Sequence, residues 1–139
     1  VIYLAETVKN LFFKARALLD EYSDDGIIIA DEEVIDMQEK AILLADMAQK
    51  ELYEQSQLDL TKVEPNTFTS IDNITEVNYK ADQAIVYYIA ARLAPFENKE
   101  LVNFFEDKYE QLKRKCSNKA VEVQITDVYG FYSLDDEVI

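Results

Sequence analysis

The chain of 139 residues contains no histidine, no tryptophan, one cysteine, two glycines and two prolines. Without histidine it cannot build a His-based catalytic triad or a His-rich zinc site, and one cysteine cannot form an internal disulfide or a Cys cluster. Two glycines are too few for a backbone cradle around phosphates. Long hydrophobic runs are also missing: no stretch approaches 18 consecutive apolar residues. The first residues lack the basic start, apolar centre and small-residue cleavage site of a signal peptide, so a soluble intracellular chain with a reduced thiol is expected. Positive charge is scarce as well. Lys and Arg number 14 against 28 Asp and Glu, and the net charge of −14 repels phosphate backbones and disfavours nucleic-acid binding by general electrostatics.

What is present suits one folded domain. A hydrophobic fraction of 49% with 12% aromatics supplies a core, while 30% charged residues supply a surface, which argues against disorder as the overall class. Few turn residues and long apolar periodicities predict a mainly α fold: four main helices arranged as a bundle, with a long central loop and a short C-terminal strand or extended tail. Apolar residues at Leu4, Val8, Leu11, Phe12, Ala15, Leu18, Leu19 and Tyr22 predict a first helix over 4–22. Val34, Met37, Ala41, Leu44, Ala45, Ala48 and Leu52 predict a second over 32–55, capped by Asp31 and rich in alanines that permit tight packing on the first. Ala81, Ala84, Ile85, Tyr88, Ile89 and Arg92 mark a third over 79–94, ended by Pro95 and apolar enough to be central. Leu101, Phe104, Phe105, Tyr109, Leu112 and Cys116 mark a fourth over 98–116, capped by Asn98. Leu18 and Phe105 are expected in the core, and Cys116 is expected as a buried thiol without an activating partner.

Between the second and third helices the periodicity fails over Ser56 to Asn78, a connection long enough to suggest a functional role or contact with a partner, with Phe68 and Ile71 as candidate anchors. After the fourth helix, Val121, Val123 and Ile125 alternate with polar residues in the period of a half-buried strand. Its partner is either a weak strand in the 66–74 loop or another chain. Tyr129, Phe131 and Tyr132 then suit either core packing or an anchor in a partner groove. The sequence thus divides into a helical part, 1–119, and a C-terminal strand with an aromatic and acidic tail, 120–139.

Three local patterns carry chemistry. Glu21, Ser23, Asp25, Gly26, Ile28 and Glu32 fall at the ligand and turn positions of a calcium-binding helix-loop-helix, but Glu21 replaces the expected aspartate and Ser23 is a weak ligand. A capped, solvated loop without tight calcium binding is expected there. Pairs of carboxylates suited to acid and base work can be drawn anywhere among so many acids, and only burial or a displaced pKa would set one apart. Lys113, Arg114 and Lys115, with Lys119, crowd the end of the fourth helix. They complement its dipole, and they could also touch phosphate or the acidic half of a second copy, since residues 1–60 hold 5 basic against 14 acidic residues.

Several stretches, taken in order, resemble the head-tail connector or adaptor proteins of tailed bacteriophages. They are Lys14-Ala15-Arg16-Ala17-Leu18-Leu19-Asp20-Glu21-Tyr22-Ser23-Asp24-Asp25-Gly26, then Ala45-Asp46-Met47-Ala48-Gln49-Lys50-Glu51-Leu52, then Asp82-Gln83-Ala84-Ile85-Val86-Tyr87-Tyr88-Ile89-Ala90-Ala91-Arg92-Leu93. Phe104-Phe105-Glu106-Asp107-Lys108-Tyr109-Glu110 and Ile125-Thr126-Asp127-Val128-Tyr129-Gly130-Phe131 complete the series. Such relatives often carry a β-rich insertion after the second helix, where this chain has only Ser56 to Asn78. The resemblance implies a non-enzymatic structural subunit without a cofactor, forming a ring of identical copies between the portal protein and the tail-side neck or tail-completion proteins. DNA would pass through the channel without specific binding. The location implied is the neck of the virion, with the host cytoplasm during assembly. Expected interface residues are Lys113, Arg114, Lys115, Val121, Val123, Ile125, Tyr129 and Phe131. The competing expectation is a small helical regulatory or adaptor module that binds one protein partner.

Overall fold

The computed structural model describes residues 6–22 and 31–118. The calcium-like loop, the predicted strand, the aromatic tail and the boundary at 119 all lie outside the described residues, as do the expected interface residues Val121, Val123, Ile125, Tyr129 and Phe131. The fold is mainly helical, with α1 at Val8–Tyr22, α2 at Asp31–Ser56, α3 at Tyr79–Leu93 and α4 at Lys99–Lys115. Among the described residues there is no strand, only the isolated antiparallel bridges Thr7 with Ile74 and Gln57 with Val77.

Local chemistry sets the helix ends. α1 begins at Val8 rather than at Leu4, because Thr7 caps it: its hydroxyl accepts from the Asn10 amide at 3.1 Å. The next free amides are met by the long connection, with Val8 donating to the Asn73 carbonyl at 3.0 Å and Lys9 to the Ile71 carbonyl at 2.8 Å. α3 starts behind Asn78, whose side chain accepts from the Ala81 amide at 2.9 Å. It stops at Ala94, which takes extended backbone angles as the residue before Pro95 must. Asn98 caps α4 as expected, accepting from the Leu101 amide at 3.2 Å.

One hydrophobic core joins the four helices, built on Val8, Leu11, Phe12 and Ala15 of α1, the alanines and Leu52 of α2, and Phe105 and Tyr109 of α4. α3 packs against each of the other three, and nine of its residues are buried, which makes it the central helix the apolar run predicted. α2 seats Ala41, Ala45 and Ala48, all fully buried. α2 packs on α1, as its alanines led one to expect, and more extensively on α3. Leu18 is only half-buried at the edge of the core, whereas Phe105 is wholly enclosed.

The connection over residues 57–78 differs most from expectation. It supplies no strand over 66–74, and it folds back on its own helices instead of reaching away. Buried Gln49 of α2 accepts the Glu76 amide at 2.7 Å. The Asp46 carboxylate accepts the Phe68 amide at 3.0 Å, and Phe68 itself is buried, with Ile71 half-buried beside it. The Tyr53 hydroxyl donates to the Lys62 carbonyl at 2.7 Å. Side chains of α2 thus do for this segment what a second strand does for a sheet: they satisfy backbone groups that would otherwise be orphaned.

Candidate functional site

The basic end of α4 is where sequence placed an interface. Lys113 already has a partner within the chain: its ammonium lies 3.2 Å from the Glu51 carboxylate of α2 and 6.0 Å from the centre of the Tyr109 ring. The Tyr109 hydroxyl donates to the same carboxylate. That hydrogen bond holds Glu51 below the usual glutamate range, against the opposing effect of partial burial and with help from Lys113. Burial, followed by the Glu51 hydrogen bond, pushes the Tyr109 phenol far upward. The acidic half of the sequence therefore answers Lys113 in the same molecule. Arg114 and Lys115 are exposed.

Lys115 belongs to a feature that local sequence patterns did not reveal. α1, α3 and α4 enclose an open groove of about 610 Å³ whose floor includes Leu18, Val86 and Leu112 and whose rim includes Lys14, Lys108 and Lys115. Among the described residues no carboxylate lines it, although 28 of the 139 residues are acidic. Three lysines thus gather on the described lining of a groove in a chain whose net charge is −14. Lys14 pairs with Glu6, and Lys108 lies 5.8 Å from the centre of the Phe104 ring, while Lys115 projects at the end of α4. Three segments far apart in sequence supply the rim, so no local motif announces it.

A smaller cavity of about 210 Å³ adjoins the groove, sharing Lys14, Gln83 and Val86 with it, and is lined further by Glu6 and Asp82. Asp82 sits in the first turn of α3, where the helix dipole favours a carboxylate. It is nevertheless only 3% exposed, and neither side-chain oxygen has a hydrogen-bonding partner. Burial pushes its pKa up to about 8, and the nearby Glu6 backbone acts in the opposite direction. Among the described residues Asp82 is the carboxyl that burial sets apart, and its raised pKa favours the neutral acid. Glu6 beside it is occupied by Lys14.

Cys116 is buried as expected, and desolvation raises its thiol further from reactivity. Its sulfur donates to the Lys113 carbonyl at 3.2 Å and accepts from the Gln55 amide at 3.4 Å, which fixes the end of α4 against α2. Among the described residues no three metal-ligating side chains come together, and no helix is long and apolar enough to cross a membrane. A second surface stands apart from the groove. Along the outer face of α2, Ile35, Leu43 and Met47 are 59%, 65% and 56% exposed, with Asp36, Glu39 and Glu54 exposed on the same side. Comparison with protein-family models, curated proteins and solved structures finds no match to this chain.

Proposed function

We propose that the chain is a non-enzymatic head-tail connector subunit of a tailed bacteriophage, working in the virion neck as a closed ring of identical copies between the portal and the tail-side proteins. The helices form a bundle in this reading, with residues 120–139 adding a strand and an aromatic anchor at the contact between subunits. What carries the proposal is the ordered series of connector-like stretches, whose described parts fall one after another on α1, α2, α3 and α4. The charge is compatible with the role. A chain of net charge −14 suits a channel through which DNA slides without sticking.

The competing reading, a helical module that binds a single protein, draws on the groove, which has room for side chains of one partner segment. Mass measurements separate the two. Incubated with assembled portal rings, a connector is retained in many copies per ring as a closed collar. A one-partner module binds its target in a one-to-one ratio and ignores portal rings, and that outcome would replace the connector reading.

A further inference from the structure

The lysine-rimmed groove and the outer face of α2 are complementary in both charge and polarity. The groove offers an apolar floor of Leu18, Val86 and Leu112 beneath Lys14, Lys108 and Lys115. The α2 face offers exposed Ile35, Leu43 and Met47 beside Asp36, Glu39 and Glu54, and it stays net acidic although Lys40 and Lys50 are exposed on the same side, Lys50 being paired with Asp46. Spacings of eight and four residues along one helix place the three apolar side chains on a single stripe. Exposed apolar stripes of this kind mark contact surfaces more often than chance. A chain cannot seat its own stripe in its own groove. α2 is fixed to the core by its opposite face, through Ala41, Ala45, Ala48 and Leu52, and contributes no residue to the groove lining.

We propose that the α2 face of one copy docks in the α1/α3/α4 groove of the next, carboxylates against lysines and Ile35, Leu43 and Met47 over the apolar floor. The contact joins two different surfaces, so every docked copy leaves one free groove and one free α2 face. Repetition then closes a ring when the rotation per copy divides a full turn, and otherwise gives an open filament. The inference rests on the ring reading only in requiring that copies associate, and it names the surfaces that do so.

The test uses two variants of the full chain. Leu43→Glu disables the α2 face and leaves the groove intact; Lys108→Glu with Lys115→Glu disables the groove and leaves α2 intact. All three positions lie outside the closed core, and circular dichroism checks that helix content is retained, with Met47→Glu replacing Leu43→Glu if it is not. In sedimentation equilibrium at the highest soluble concentration, the unaltered chain should self-associate and each variant should do so at least about tenfold more weakly. Mixed together, the two variants retain one intact groove and one intact face, so they should form a capped one-to-one dimer. Assembly that persists in both variants would overturn this interface while leaving the ring reading in place. A mixture that stays monomeric, or an unaltered chain that never associates, would also overturn the interface; binding to portal rings then decides the ring reading separately.

Discussion

Burial leaves the Asp82 carboxyl protonated at neutral pH, because its folded pKa of about 8 lies well above the solvated value of 3.8. The folded state therefore holds a proton that the unfolded chain releases. The stability associated with that proton is fully present below about pH 4 and is lost as pH rises through about 8. Asp82→Asn, which cannot ionise, should match the parent chain in urea denaturation near pH 4 and exceed it by more than about 1 kcal/mol at pH 8.5. Parallel stability profiles for the two proteins would show instead that Asp82 titrates as a solvated group. A second residue-scale expectation concerns Glu51, which the Tyr109 hydroxyl and Lys113 keep below the ordinary glutamate range. Tyr109→Phe should raise the Glu51 pKa in an NMR titration, and an unchanged value would remove the hydrogen bond from the explanation. Neither feature was readable from sequence. Asp82 was one acid among 28, and its distinction comes from the Glu6 segment and α1 closing over the start of α3.

At the scale of elements, apolar spacing revealed the four helices because each has a core-facing stripe that repeats at helical period, and Asn98 and Pro95 marked real boundaries. The stripe overran the start of α1, where Thr7 and the carbonyls of Ile71 and Asn73 determine the first turn. It also rated Leu18 and Phe105 alike. Phe105→Ala should cost roughly 3–5 kcal/mol because the ring is fully enclosed, whereas half-buried Leu18→Ala should cost less than about 2 kcal/mol. Equal losses in chemical denaturation would show that the groove edge is as tightly packed as the core. The long connection carried no periodic signal, because its order comes from hydrogen bonds to α1 and α2 rather than from a repeating face. Asn78 joins that connection to two helices: it caps α3 and its amide donates to the Cys116 carbonyl at 2.9 Å. Asn78→Ala is expected to cost about 1–2 kcal/mol, more than Asn98→Ala, which loses a cap alone.

At the scale of the whole molecule, charge is distributed unevenly, and that unevenness is what an assembly can use. The sequence singled out Lys113, Arg114 and Lys115 because they are adjacent, but folding spends Lys113 on Glu51 and assigns Lys115 to a groove shared with Lys14 and Lys108. The groove was illegible because its lysines are far apart along the chain. The α2 face did leave a trace, since Ile35, Leu43 and Met47 fall off the core stripe of their helix. In the proposed function, copies of this chain form the collar between a filled capsid and its tail. Imaging of assembled particles tests that claim most directly: a closed ring of this polypeptide should lie between portal and tail, and particles lacking it should accumulate as filled heads that fail to join tails. A collar without this polypeptide, or filled heads that still acquire tails after its deletion, would contradict the account.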